Sequence, residues 1–336
     1  MRYFAAALAL ASSLFAGQFP VAVTPTVAKS HLDTTDSSLG KTRSIAAHSP
    51  VLGYLPGPGP ADLYAILGTA RKPELGLQIP APPETSKIYI PPRQQYVLLE
   101  SASDQPIAIS NPYTAFLANS QLESAPIPGT IPHPDRIAFS PRGEAACLLS
   151  FASGRLQVIA NLPGHPTLLR ELSIASWNES PQFALTDDGE LIVAALSGAR
   201  LMRSIEGGAW QSWSVPYTPG AWTFVSNSHD LLIADPSQGS IALVSKLGEM
   251  PEIHILATQG VQANLLVVTK DGRQCLAADS LTGKLLSLDL RTGTLTSLAP
   301  ANIEHFLSLR DGRTFLLSAY PALSLLRLTP PAQLTY

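Results

Sequence analysis

The feature that most constrains the fold of this chain is a strand–turn–strand unit that recurs six times at a nearly constant interval. The clearest copy, from Val268 to Leu290, reads VTKDGRQCLAADSLTGKLLSLDL. Asp271-Gly272 is a turn signal, because glycine accepts positive φ where a side chain would clash. The apolar runs beside the turn are short and lack helical spacing, which favours strands. One such unit cannot bury both faces of its sheet, so it must stack on others.

The six copies share a turn position, and 40 to 49 residues separate each from the next. These turn positions are Gln94, Gly143, Gly189, His229, Gly272 and Gly312. A period in the forties, with three or four short strands per repeat, is typical of the blades of a β-propeller. The sequence therefore predicts an all-β propeller. A two-sheet β-sandwich is the structural alternative, but it would not require the same turn signature at a near-constant interval.

Six inner-strand copies predict six blades, or seven if the N-terminal hairpin of Val51–Tyr54 with Leu63–Leu67 belongs to a degenerate blade of its own. The last repeat, Phe306 to Leu328, stops at its third strand. We therefore expect an N-terminal strand to complete the last blade and close the ring without an open edge. The register also predicts equivalent buried residues on the second strands, namely Leu148, Val193, Leu232, Leu276 and Leu316.

The N-terminus has the features of an export signal: an arginine at position 2, an apolar run rich in Ala and Leu, and then a pair of small residues. We therefore expect a periplasmic or extracellular protein, with an uncleaved N-terminal anchor as the alternative. The domains that this interpretation predicts are a signal peptide at 1–16, a flexible linker at 17–48 and the propeller at 49–336.

Composition narrows the set of partners. Charged residues make up 14% of the chain and the formal net charge is −3, so there is no electrostatic reason to expect nucleic acid. No apolar run after the N-terminus is long enough to span a membrane. Cys147 and Cys275 lie at equivalent places in different repeats, which favours two buried free thiols; a disulfide is the alternative in an oxidising compartment. We expect a monomer.

At DGRQCLAADSLTGKLLSLDL and HDLLIADPSQGSIALVS, the chain resembles the NHL and YVTN families of propeller repeats. Units of these families read as a DG turn, an apolar strand ending in Ala-Asp, a Gly turn and another apolar strand. Asp235 and Asp279 keep the Ala-Asp ending, and the resemblance covers roughly residues 87 to 330. It implies a propeller that binds something on one face, but no particular reaction.

An aromatic cluster is the main candidate for ligand binding. Trp177, Tyr217 and Trp222 fall in or near loops that enter the first strands of their repeats, where a propeller exposes its inner rim. Exposed rings there could stack on a sugar or grip an apolar peptide. Packing between blades is the alternative role, and it is the expected one for Trp210 and Trp213. The chain is thus predicted to be an exported, non-catalytic propeller that binds a ligand or a protein.

The alternative function is a metal-dependent hydrolase that resembles the gluconolactonase-type propellers. Those place carboxylates and Asn or Asp side chains around a divalent cation at the channel mouth, and oxygen ligands suit Ca²⁺ or Mg²⁺. No other cofactor is predicted. Asp235 and Asp279 could join the ligands, and solvated turn carboxylates are the simpler explanation for all of them. The candidate ligands in the loops before the first strands are Glu84, Asp135, Glu179, Asn264 and Glu304.

Overall fold

In the residues that it describes, the computed structural model has 27 strands and one short helix, and these residues all fall in one compact unit. The predicted signal peptide and linker, residues 1–48, lie outside the described residues. No helix in the described part of the chain is long and apolar enough to cross a membrane. The described residues are 49–335 except 60, 102–105, 111, 118–123, 176, 178–180, 197–200, 258–261, 280–281, 299–300, 302, 304–305, 319–322 and 329–332.

The strands form seven antiparallel sheets, numbered here in chain order. Sheet 1 contains β1 (Val51–Pro56), β2 (Leu63–Thr69) and β3 (Lys72–Ile79). Sheet 2 contains β4 (Thr85–Tyr89), β5 (Tyr96–Ser101), β6 (Ile107–Ser110) and β7 (Ser124–Pro126), with helix α1 (Pro112–Leu117) between the last two. Sheet 3 contains β8 (Arg136–Phe139), β9 (Ala146–Ser150), β10 (Arg155–Ala160) and β11 (Thr167–Ser173).

Sheet 4 contains β12 (Gln182–Leu185), β13 (Leu191–Ala195), β14 (Leu201–Ile205) and β15 (Gln211–Trp213). Sheet 5 contains β16 (Ala221–Phe224), β17 (Leu231–Asp235), β18 (Ser240–Ser245) and β19 (Glu252–Ala257). Sheet 6 contains β20 (Leu265–Val268), β21 (Gln274–Asp279), β22 (Lys284–Asp289) and β23 (Leu295–Ser297). Sheet 7 contains β24 (Leu307–Ser308), β25 (Thr314–Ser318), β26 (Ser324–Arg327) and β27 (Gln333–Thr335).

The second strands of the four-stranded sheets are buried on both faces, which explains their continuous apolar sequences. On β21, Cys275 and Ala277 pack towards sheet 5, whereas Leu276 and Ala278 pack towards sheet 7. Successive side chains of a strand point to opposite faces, so each second strand contributes to two neighbouring cores.

Seven apolar clusters connect the sheets in sequence order, and the seventh returns from sheet 7 to sheet 1. In that last cluster, Leu55 and Ile66 of sheet 1 pack with Leu309, Leu316 and Leu325 of sheet 7. A closed circuit of sheets packed face to face is the arrangement of a β-propeller. The predicted all-β propeller fold is confirmed.

Sheet 1 consists of the N-terminal hairpin and β3, so the described residues contain seven sheets. Seven is the alternative count that the sequence left open, and six is the count that the inner-strand copies favoured. Tyr54 and Leu55 of β1 are fully buried, as on the second strands of the other sheets, and β3 is largely exposed like their fourth strands. The O of Leu52 accepts a hydrogen bond from the N of Arg310, 3.0 Å away, in the turn between β24 and β25. In the described residues, sheet 1 therefore lacks the strand equivalent to the first strand of the others.

The expected closure of the last sheet by an N-terminal strand is wrong. Its fourth strand is β27, from the C-terminal end of the chain, which pairs with β26. β1 pairs with β2 and belongs to a separate sheet. Sheets 7 and 1 are instead joined by side-chain packing, by the hydrogen bond from the N of Arg310 to the O of Leu52, and by Gln94, which bonds to both sheets.

All five residues predicted as equivalent core positions are fully buried. Four of them pack towards the following sheet, whereas Leu148 packs towards the preceding one, in a cluster with Tyr96 and Leu98. The predicted register of that repeat was one residue out, and a shift of one residue reverses the face. In sheet 5 the turn position is Ser228 and not His229, since the N of Ser228 donates to the O of Val225.

Cys147 and Cys275 are both free and buried, so the prediction of two buried thiols is confirmed. Burial raises the pKa of each thiol to about 12. Both thiols are therefore protonated at neutral pH and are poor nucleophiles.

Candidate functional site

The sheets present two faces with different chemistry. On the turn face lie the turns that join the first and second strands of sheets 2 to 7. On the loop face lie the loops that precede the first strands, where the sequence placed its candidate residues. Each face has concave surface regions, and their lining residues differ in charge.

The loop-face cavity, of about 380 Å³, is formed mainly by the first strands of sheets 3 to 6. Apolar side chains such as Leu149, Phe183 and Leu266 make up much of its lining. Trp222 and Asn264 are the two predicted site residues that it brings together. No carboxylate of the described residues lines this cavity.

The other two aromatic candidates lie in the cores between sheets. Trp177 is 9% exposed and stacks on Phe183, with ring centroids 5.8 Å apart. The ring of Trp210 also contacts Trp177, with centroids 4.7 Å apart. Tyr217 is 8% exposed and belongs to the cluster between sheets 4 and 5. The expectation that these two rings are exposed at the rim is wrong, because each fills a gap between neighbouring sheets. Ligand binding by Trp222, which is half-buried, stays a prediction.

Three of the five candidate metal ligands are described. Glu84 is exposed in the loop before β4, at φ +68°. Asp135 is exposed, and its Oδ2 accepts a hydrogen bond from the N of Phe151 at 2.7 Å. Asn264 is half-buried at the loop-face cavity. Glu179 and Glu304 lie outside the described residues, so a metal site at this mouth stays untested.

Asp235 and Asp279, the two aspartates at strand ends, accept hydrogen bonds from nearby turn and loop residues. Asp235 accepts hydrogen bonds from the N of Thr218 at 2.8 Å and of Ser237 at 2.9 Å, and from the Ser237 hydroxyl. Asp279 accepts a hydrogen bond from the Thr282 hydroxyl at 2.6 Å. These bonds stabilise the turns after β17 and β21 and, through Thr218, the loop before β16, which gives both aspartates a structural role.

The turn-face groove is larger, about 840 Å³, and is polar. Its walls come from turns of sheets 2 to 5 and from the loop between β10 and β11. Carboxylate, imidazole and amide side chains all face it. The polar lining residues are Gln95, Glu144, Asn161, His165, Asp187, Asp188, Asn227, Ser228 and His229.

A pair of facing side chains joins sheets 4 and 5 in this groove. The Nε2 of His229 lies 2.8 Å from the Oδ2 of Asp188, and both side chains are exposed. Partial burial raises the pKa of Asp188, but hydrogen bonds from His229, Thr186 and the N of Glu190 outweigh that effect and hold the pKa below its usual value. Asp188, Glu190 and His229 are close enough to hold a cation, but exposed acidic groups often cluster without one.

A third concave region, here called the central cavity, lies where the turns of sheets 2, 3, 5, 6 and 7 meet, and has a volume of about 380 Å³. It shares Asn227 with the turn-face groove. Asp187 holds the turns around it, because its two oxygens accept from the N of Arg142 at 2.6 Å and the N of Asn227 at 2.9 Å. The residues that line it are Arg93, Arg142, Asn227, Lys270, Asp271, Asp311 and Arg313.

The sequence interpretation missed the turn face, although a signal was available. The residue just before the turn position is polar in all six repeats, and such residues converge because equivalent turns lie at one end of the propeller. These residues are Arg93, Arg142, Asp188, Asn227, Asp271 and Asp311. Taken singly, each is an ordinary polar residue of a tight turn.

No protein-family model matches this chain, and no curated protein does. Solved propeller structures share its fold at low identity. A functionally unknown protein from Desulfotomaculum acetoxidans has a TM-score of 0.55 and 15% identity, over 85% of this chain and 95% of that one. A proposed 6-phosphogluconolactonase from Bacteroides fragilis has a TM-score of 0.53 and 14% identity, over 85% and 92%.

Hydrazine synthase from Kuenenia stuttgartiensis has a TM-score of 0.50 and 11% identity, over 83% of this chain and 96% of that one. The two of these proteins whose names state an activity have different ones, and the third is described as functionally unknown. At this identity the likeness shows the fold alone, and the predicted fold-level resemblance to propeller repeat proteins is confirmed.

Proposed function

We propose that this chain is an exported seven-bladed β-propeller that works as a binding module, with its ligand site on the turn face. The observation that supports this most directly is the turn-face groove. Its volume of about 840 Å³ suits a small molecule or a short peptide segment. The site is built from turns of four neighbouring sheets, so packing of the sheets holds it in shape.

The lining of the groove indicates the chemistry of the ligand. Asn161, Asn227 and Gln95 bring amide groups, which can donate and accept, to the lining. Asp187 and Asp188 already bond to neighbouring turns and offer only their remaining lone pairs as acceptors. A ligand with several hydroxyl or amide groups could satisfy this set of polar groups. A saccharide or a peptide backbone fits that description better than an apolar compound does.

Catalysis by a bound Ca²⁺ or Mg²⁺ at the loop-face mouth is the alternative function. It would need several oxygen ligands to converge, and Asn264 is the one candidate ligand among the described residues of the loop-face cavity. Binding without catalysis is therefore the function that we propose. Calcium-dependent hydrolysis of simple lactones by the purified protein would contradict it.

Thermal unfolding in the presence of neutral mono- and disaccharides and of amino acids tests the proposal. We expect at least one compound class to raise the unfolding temperature of the wild type. His165→Ala and Asn227→Ala, two exposed groove residues, should abolish the shift. Gln182→Ala in the loop-face cavity is the matched control and should keep it. A shift that Gln182→Ala abolishes, or none with any compound, would contradict a turn-face site for such ligands.

Export is part of the proposal and rests on the N-terminal sequence. Residues 1–16 are proposed to be removed as a signal peptide, which leaves a periplasmic or extracellular protein. Mass spectrometry of released material would give a chain that starts after position 16; an intact Met1 on that material would contradict cleavage.

A further inference from the structure

We propose that the central cavity on the turn face binds an oxyanion, a phosphate or carboxylate group of a small ligand, through Arg93, Arg142 and Lys270. This inference deepens the proposed function and rests on it, because the cavity and the turn-face groove share Asn227. A ligand in the groove could extend its anionic end into the cavity.

The balance of charge in the cavity favours an anion. Four cationic and two acidic side chains line it. The two carboxylates are engaged by their own turns. Asp271 accepts from the Thr269 hydroxyl at 2.7 Å, and Asp311 accepts from the N of Thr314 at 2.7 Å and from the Thr314 hydroxyl. These bonds hold the two carboxylates in place, and their two negative charges neutralise only part of the four positive charges of the lining.

Arg93 shows most clearly that a partner is missing. It is 6% exposed, and its Nη1 lies 3.4 Å from the Oε1 of Glu144, which also contacts the Nη2 of Arg142 at 2.7 Å. The Glu144 carboxylate thus forms ion pairs with two guanidinium groups. In the described part of the chain, the Nε of Arg93 and the Nε of Arg142 are buried without an acceptor. A buried donor without an acceptor costs free energy, which an oxyanion would recover.

The two arginines also repel each other. Burial lowers the pKa of Arg93, and the neighbouring Arg142 cation lowers it further, while Glu144 and Asp187 act in the opposite direction. Glu144 brings a single negative charge into contact with these two positive groups, so a further anion beside the pair would be favourable. Planar guanidinium forks match the geometry of phosphate and carboxylate oxygens, which identifies the class of ligand.

Lys270 adds a third donor from sheet 6. Its stem lies against Gly312, where a Cβ would come within 2.4 Å of the Lys270 Cβ. Because the turns that contain Lys270 and Gly312 approach closely, the Cα–Cβ part of Lys270 is held beside the cavity. Among the described residues, no carboxylate pairs with its ammonium group. Arg313 is partly neutralised by Asp271 at 3.6 Å, so it contributes less.

Isothermal titration of the purified full chain with sodium phosphate and with sodium citrate, each against potassium chloride of matched ionic strength, tests the inference. We expect one or both anions to bind and chloride to give no signal. Lys270→Ala should weaken binding about tenfold, the loss of one charge-assisted hydrogen bond. Arg93→Met should weaken it at least as much, and Lys270→Ala keeps the test valid if Arg93→Met does not fold.

Lys72→Ala is the matched control, because it removes one lysine from the exposed β2–β3 hairpin, outside the residues that line the cavity. It should bind the anions as the wild type does. The inference would be overturned if neither anion binds, or if Lys270→Ala binds the anions with unchanged affinity. Saccharide or amino-acid binding that His165→Ala abolishes would leave the proposed function standing in that case, so the two failures can be told apart.

Discussion

Leu276 shows how one side chain stabilises the assembly of two sheets. It lies in the middle of β21 opposite Val267 of β20 and Ser287 of β22, and it is fully buried. Its side chain points to sheet 7, into a cluster with Phe315 and Leu317. The residue thus contributes to a core between sheets, and its loss would leave a cavity that neither sheet can easily fill.

Replacing Leu276 by Ala should lower the free energy of unfolding by about 2–5 kcal/mol, the usual cost when a buried leucine is truncated and its site cannot collapse. Urea unfolding at neutral pH measures the loss. Ile255→Ala is a suitable control, since Ile255 is 59% exposed on β19 and should cost little. A loss for Leu276→Ala no larger than that of the control would contradict its place in the core.

The repeat predicts that such residues are buried, but it does not predict in every case which neighbouring sheet their side chains face. Leu148 and Leu276 are both apolar residues in the middle of second strands, yet they face opposite neighbours. The sequence period along a strand is two, and local sequence does not reveal a register error of one residue when both faces are apolar.

Hydrogen bonds to the last residue of β17 stabilise the hairpin between β17 and β18. Asp235, the last residue of β17, is fully buried and receives hydrogen bonds from the N of Thr218 and Ser237 and the Ser237 hydroxyl. Partial desolvation raises the pKa of Asp235, but these hydrogen bonds outweigh that effect and the net pKa is lowered. The Ala-Asp ending on which the family resemblance rests therefore has a structural role here.

Asp235→Asn should lower the free energy of unfolding at neutral pH by about 1–3 kcal/mol, because an amide nitrogen would replace an accepting oxygen next to a buried donor. The sign of the pH dependence follows from the lowered pKa. The stabilisation by Asp235 is complete above its unfolded pKa of 3.8 and is lost as the pH falls through the lower folded value.

The difference between wild type and Asp235→Asn should therefore shrink in urea unfolding below about pH 4. Asp230→Asn, near the other end of β17, is the control, since its carboxylate has no hydrogen-bond partner among the described residues. A difference between wild type and Asp235→Asn that is independent of pH would contradict a role for the carboxylate charge.

At the scale of the whole molecule, Gln94 is central to the closure between sheets 7 and 1. Its Nε2 donates to the O of Ser308 in sheet 7 at 3.0 Å, and its Oε1 accepts from the N of Tyr54 in sheet 1. Gln94 itself lies in the turn of sheet 2, fully buried and at φ +48°. One side chain thus links three sheets at the place where sheet 1 has no inner strand among the described residues.

Gln94→Ala should destabilise the protein by about 1–3 kcal/mol for each of the two buried backbone groups that it leaves without a partner. Gln94→Glu should also destabilise it at neutral pH, since a carboxylate can accept from Tyr54 but cannot donate to Ser308. Gln95→Ala, at the exposed neighbour, is the control for urea unfolding. Unchanged stability in Gln94→Ala would contradict a role for Gln94 in closing the ring.

The sequence by itself determined the repeat, most of the strands with their turns, and the burial of apolar residues on the second strands, because these follow from local propensity and from the period of apolar residues. It also indicated that Cys147 and Cys275 are buried, since both lie in apolar second strands. Only the tertiary structure decided the number of sheets and the way the ring closes. Both depend on which strand pairs with which across long sequence separations, for example β27 with β26 and not β1 with sheet 7.

The candidate site likewise depends on the tertiary structure. Arg93, Arg142 and Lys270 come from three repeats that are far apart in sequence, and each alone is an ordinary residue of a polar turn. Trp177 and Tyr217 stood out in the sequence because they belong to an aromatic cluster, but large apolar side chains suit the gaps between sheets as well as a binding rim. Closure of the ring brings the turns together, and that closure alone makes a site of them.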